Sequence, residues 1–123
     1  MIDGPRVAVI GIDCGTPRLL FEDLKAEVPN ISALIERSLY GELESITPPI
    51  TVPAWACALT GKTPGQLGIY GFRNRKDRTY EGLSIATSNA IREPTVWDLL
   101  GEAGKKSLLI GVPPAYPVQP VEG

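Results

Sequence analysis

The sequence predicts an α/β fold with a mostly parallel sheet. Three observations carry that expectation. Residues 6–13 and 107–112 are apolar, β-branched runs with the length of buried parallel strands. Thr95-Val96-Trp97-Asp98 is a capping box that opens a helix. That helix leads directly into the second run, the connection on which parallel sheets are built. A length of 123 residues with 43% hydrophobic content suits one small domain, 1–123, with a packed core.

The totals exclude several classes. A net charge of -2 gives no pull towards nucleic acid or an anionic membrane. No window has the ~18 continuous apolar residues of a membrane span. Asp3 and Pro5 interrupt any export segment. Cys14 and Cys57 are too few for a disulfide framework and fit thiols in a reducing cytoplasm. The chain has no histidine, so it lacks the imidazole that most zinc and general-base sites use. It ends on an extended polar tail, residues 118–123, that closes nothing. Both facts lead us to expect an incomplete unit.

Taken in order, the first strand delivers Asp13 to its carboxyl end, where ligands gather in open α/β sheets. Asp13 is either a ligand there or the cap of the next turn. Thr16 caps a helix with Pro17 at its first position and Leu19, Leu20, Phe21 and Leu24 on its apolar face. Pro29 stops it. Asn30 caps a second helix, with Ile31, Leu34 and Ile35 at helical spacing. Residues 38–46 alternate as a strand near a sheet edge, with Glu42 and Glu44 on one solvated face.

Thr47-Pro48-Pro49 breaks that strand and brings the chain to Thr51. Thr51 takes the N-cap, since Pro53 is tolerated only in the first helical turn, and Gly61 supplies a left-handed stop. The helix is apolar nearly all round and is expected to be buried. A glycine-rich loop follows over 61–78, dense in Arg73, Arg75, Lys76 and Arg78. It is either a solvated charged loop or a seat for an anionic substrate. Residues 80–87 form either a short strand or an extended loop. The helix opened by Thr95 ends at Gly104, and prolines from 113 onwards end regular structure.

A hydroxyl at a helix N-terminus faces backbone N–H groups and the positive end of the dipole. Those features bind phosphate and would stabilise an alkoxide. Thr51 is therefore either a nucleophile towards phosphorus or simply a cap. Gly61-Lys62-Thr63 is not a P-loop, because Ala56 stands where a glycine is needed and Pro64 follows.

Two resemblances remain. Ile10-Gly11-Ile12-Asp13-Cys14-Gly15-Thr16 is similar to the phosphate-binding turn of the actin-like and sugar-kinase ATPases. It would make the chain a nucleotide-binding fragment using Asp13, Gly15 and Thr16. Those folds continue into a second strand, whereas Pro17 and the stripe after it predict a helix.

The second covers nearly the whole chain. Asp13 at a strand tip, Pro48-Pro49-Ile50-Thr51-Val52-Pro53-Ala54-Trp55, Thr60-Gly61-Lys62-Thr63-Pro64-Gly65, Gly68-Ile69 and Gly71-Phe72 follow in order. Together with Pro29-Asn30-Ile31 and the closing Val112-Pro113 to Gly123, they resemble the alkaline phosphatase superfamily, in its type I phosphodiesterase/nucleotide pyrophosphatase branch. The resemblance implies the N-terminal part of a larger catalytic domain, a partial three-layer sandwich with a mostly parallel sheet. It implies a hydrolase of small phosphate esters with two divalent metal ions, zinc or manganese. Thr51 would be the nucleophile and, with Asp13, a metal ligand; the basic loop, not the resemblance, offers Arg73 and Arg75 as the substrate contacts. The remaining aspartate and histidine ligands would come from a C-terminal portion, so this chain is expected to be inactive alone and to hold few or no metals. Ala54 departs from the asparagine of the extracellular nucleotide pyrophosphatases, and Leu67 from a histidine frequent in relatives. A third reading is a non-catalytic α/β domain that self-associates through an open sheet edge.

Overall fold

The computed structural model describes residues 6–123. The expectation that rests on Asp3 and Pro5 lies outside the described residues. The chain divides into two compact units between Glu44 and Ser45.

In the first unit, residues 6–12 run extended without sheet pairing, and Val9 is 90% exposed. The chain then turns at Asp13 and Cys14. Cys14 is left-handed at φ 58°, Gly15 N–H donates to the Ile12 carbonyl at 3.3 Å, and Thr16 N–H to the Cys14 carbonyl at 2.9 Å. Thr16 caps the next segment as predicted: its hydroxyl oxygen accepts Leu19 N–H at 3.3 Å and its carbonyl accepts Leu20 N–H at 3.1 Å. The segment widens into a π-helical turn over Leu19–Asp23, closed by Leu24 N–H on the Leu19 carbonyl at 2.9 Å.

Helix α1 follows at Pro29–Ile35. Pro29 opens this helix rather than stopping the one before, and Val28, not Asn30, holds the cap position. A proline at the first helical position gives up an N–H that has no helical acceptor anyway. Phe21 and Tyr40 meet edge to face at 5.3 Å.

The second unit is built around helix α2, Thr51–Thr60. Its buried face is Val52, Pro53, Ala56 and Cys57, so the helix is half-sunk rather than buried all round; Ala58 is exposed. Gly61 ends it as predicted, at φ 67°, with its N–H on the Cys57 carbonyl at 2.8 Å. A short helix α3, Pro64–Leu67, interrupts the predicted loop. Thr63 and Gln66 form a reciprocal capping box around it, and Gly68 ends it at φ 69°. The turn after it drops Ile69 into the core, 1% exposed, against Val52 and Ala56. Leu67, Ala86, Ala90 and Ile91 complete that cluster.

The sheet differs from expectation. It has two antiparallel strands, β1 at Arg73–Arg75 and β2 at Leu83–Ile85, with Asn74 opposite Ser84. The fold is mixed, with helices and a small sheet. The mostly parallel sheet is not formed among the described residues. Residues 6–13, 38–46 and 107–112 carry no strand pairing, and Leu43 and Leu108 are 93% and 86% exposed. The reason is physical: a strand has no internal hydrogen bonds, and parallel pairing needs a partner across a crossover.

Helix α4, Val96–Glu102, forms from the predicted capping box. The tail corrects another expectation. The Tyr116 carbonyl accepts Ser88 N–H at 2.9 Å, the Pro117 carbonyl accepts the Ser88 hydroxyl, and the Glu122 carbonyl accepts Ser107 N–H at 2.7 Å. Gln119 reaches Asn89 at 3.0 Å. The tail is thus tied to two other segments of its unit.

Candidate functional site

Thr51 is the first residue of α2, and the extended Ile50, at φ -113°, occupies the cap position instead. The Ile50 carbonyl accepts Ala54 N–H at 3.0 Å and so starts the helix. A β-branched aliphatic cap has no side-chain acceptor, and no side-chain cap bond forms. Thr51 is half-buried and takes part in a further interaction of its own. Pro53 falls in the first turn, where its missing N–H costs nothing. The helix N-terminus thus keeps its dipole, with a hydroxyl in its first turn.

Asp13 belongs to the other unit. It is exposed in the turn after residues 6–12, and its Oδ2 lies 3.9 Å from Cys14 Sγ, a weak donor. Thr16, two residues beyond the turn, acts as a helix cap and the chain continues helically. That continuation departs from the strand required by the ATPase turn.

Arg73 and Arg75 are both exposed on β1 and, two apart, share one face of it. The Arg75 guanidinium stacks 4.0 Å above the Tyr80 ring. Asn74, between them, points to the other face. Its Oδ1 accepts Tyr70 N–H at 2.8 Å and its Nδ2 donates to the Gly71 carbonyl at 3.0 Å, which fixes the turn into β1.

The model of the type I phosphodiesterase/nucleotide pyrophosphatase family matches residues 7–122. The chain belongs to that family. No curated protein and no solved structure matches it. Membership in the type I phosphodiesterase family brings phosphate esters as the substrate class and agrees with the alkaline phosphatase superfamily. The family is generally metal-dependent. Among the described residues, however, no three His, Cys, Asp or Glu side chains gather as a metal site. These residues do not by themselves fit a two-metal centre. No helix among them is long and apolar enough to cross a membrane.

Sequence reasoning missed two features of this type I phosphodiesterase chain. One is the Thr63–Gln66 capping box, legible as Thr-Pro-Gly-Gln, a cap, an N1 proline and an N3 glutamine. The other is a cleft beside the β1–β2 hairpin, with Lys76 and Arg92 among its lining residues. No local motif announces it, because its walls come from segments far apart in the chain.

Proposed function

We propose that this chain is the N-terminal part of the catalytic domain of a metal-dependent phosphodiesterase or phosphohydrolase working through a phosphothreonine. The observation that carries the reading is Thr51 in the first turn of a half-buried helix, within a chain matched along 7–122 by the family. The helix dipole favours the developing alkoxide and the phosphoryl oxygens. Thr51 Oγ1 attacks phosphorus, one ester oxygen leaves as its alcohol, and water later cleaves the threonine–phosphorus ester, releasing a phosphomonoester from a diester substrate or phosphate from a monoester. Asp13 and Thr51 are each a candidate metal ligand on this reading, for zinc or manganese, with the remaining ligands outside the described residues. Arg73 and Arg75 contact the anionic ester.

The exposed apolar runs at 6–12 and 107–110, with the exposed Leu39 and Leu43 of the alternating segment, support the incomplete-domain reading. Strands so apolar belong in a covered sheet. Until covered, they favour self-association through open edges. Two free thiols suit a cytoplasmic setting.

The test is mass spectrometry after acid quench of the full-length protein turning over a phosphodiester. The retained half of the diester, a phosphoryl group still carrying its second ester substituent, is expected on Thr51, with neither adduct nor turnover in Thr51→Ala. Turnover that survives Thr51→Ala overturns the nucleophile. Turnover by the 123-residue chain alone, abolished by Thr51→Ala, overturns the incomplete-domain reading.

A further inference from the structure

We propose that the outer edge of β2 pairs with the same edge of a second copy of this chain, antiparallel about a twofold axis at Ser84. The hairpin ladder decides which backbone groups are free to do so. The register that sets Asn74 opposite Ser84 also sets Phe72 opposite Ala86 and Lys76 opposite Gly82. Ala86 N–H donates to the Phe72 carbonyl at 2.9 Å, and Lys76 N–H to the Gly82 carbonyl at 3.3 Å. Bonded and non-bonded pairs alternate along an antiparallel ladder. The N–H and carbonyl groups of Leu83 and Ile85 therefore point away from β1. Among the described residues the sheet ends at β2, and no backbone bond from another segment reaches these groups.

The edge is self-complementary in one register. With the axis at Ser84, Leu83 meets Ile85 of the partner subunit, and Ile85 meets Leu83 of the partner subunit. These are the residues with free groups, so a hydrogen-bonded pair forms on either side of the axis, and Ser84 faces its own copy across a non-bonded pair. Moving the axis to Leu83 would bring in Glu81, whose N–H and carbonyl already engage the Thr79 hydroxyl at 3.2 and 3.3 Å. Moving it to Ile85 would bring in Thr87, whose carbonyl already accepts Ala90 N–H at 2.9 Å.

Charge agrees with this choice of edge. Residues 82–91 carry no charged side chain, so the pairing sets no like charges side by side. The β1 edge carries Arg73 and Arg75, and its self-pairing would bring cations together, a usual guard on an edge strand. Leu83 and Ile85 are 56% and 72% exposed and share one face of β2. The pairing joins them to their copies in one apolar strip, with Arg75 and Arg73 beside it on β1. Three residues a side fall far short of the ~20–30 of a standard interface, so the dimer is weak and reversible. This edge is separate from the runs at 6–12 and 107–110, so the inference does not rest on the incomplete-domain reading.

The test is oxidative cross-linking of the full-length protein through a cysteine placed at the axis, in a Cys14→Ser background. A non-bonded antiparallel pair holds its Cα atoms about 4.5 Å apart, within reach of a disulfide. Ser84→Cys should give a covalent dimer under mild oxidation and nothing larger. Glu81→Cys, equally exposed, lies about 20 Å along the strands from its own copy and should stay monomeric. Adding Leu83→Lys to Ser84→Cys should slow cross-linking about tenfold, because the axis repeats the lost apolar pair. An unchanged urea midpoint for Leu83→Lys would locate that loss between copies rather than within the hairpin. No dimer in Ser84→Cys, equal cross-linking in Glu81→Cys, or no slowing by Leu83→Lys would overturn the proposal.

Discussion

Thr95 and Asp98 close a reciprocal capping box: Asp98 Oδ2 accepts the Thr95 N–H at 2.7 Å and the Thr95 hydroxyl at 2.6 Å, while Asp98 N–H approaches Thr95 Oγ1 at 3.4 Å. Thr95 is buried. Thr95→Ala should cost about 1–2 kcal/mol in urea unfolding, the upper part of the range for a lost cap. Asp98→Ala should cost a similar amount, and the double variant less than the sum, because both changes break one network. Additive losses would show that the two side chains act separately.

Ile69 is the largest apolar side chain fully buried in the cluster under α2. Ile69→Ala should destabilise by about 2–5 kcal/mol through lost transfer energy and a residual cavity. Ile69→Val should cost about 1 kcal/mol. Equal losses in the two variants would mean that the site collapses around either side chain.

Burial pushes the Cys57 thiol above its ordinary 9.0. The folded state then holds this proton more tightly than the unfolded chain does. The stability it contributes is fully present below the unfolded pKa and declines as pH rises through the folded one. Chemical unfolding between neutral pH and the alkaline side should therefore show a fall that Cys57→Ala lacks. Cys14 is exposed, so alkylation under native conditions should label it first, and Cys57 only on unfolding. Equal labelling rates would contradict the burial.

Asp77 sits in the hairpin loop, where its Oδ1 accepts Thr79 N–H at 2.7 Å and the Thr79 hydroxyl at 2.6 Å. The hydroxyl first, then the N–H, hold its carboxyl below 3.8. The associated stability is present above the unfolded pKa and is lost as pH falls through the lower, folded one. Thr79→Val removes the larger cause, so the Asp77 titration followed by NMR should move up towards 3.8. An unmoved midpoint would assign the depression to the backbone donor.

What was legible in the sequence is what local chemistry decides. The caps at Thr16 and Thr95 and the stop at Gly61 all depend on residues within a turn of one another, whereas residues 80–87 read equally as strand or extended loop until pairing with β1 decides it. The misassigned cap at Thr51 is a one-residue shift, set by where the extended Ile50 offers its carbonyl. Pro29 reads equally as a helix stop or an N1 residue, and only the backbone after it decides. The predicted sheet failed for the opposite reason: the runs at 6–13 and 107–112 have strand character, but a ladder needs a partner that no local pattern supplies. Of the site, sequence placed Thr51 at a helix start and Asp13 in a turn after an apolar run. Arg92 escaped notice because sixteen positions of chain separate it from Lys76, and only folding brings both to one cleft.

The cluster under α2 also has a temporal meaning. Val52, Ala56 and Ile69 come from one continuous stretch of chain, so their contacts close short loops, which is fast and has a small entropic cost. The strand-like runs that flank this stretch must wait for distant partners. During synthesis, the corner that carries Thr51 should therefore settle early, before the segments on either side of it. Hydrogen-exchange labelling of stalled nascent chains would show it as the first protected segment.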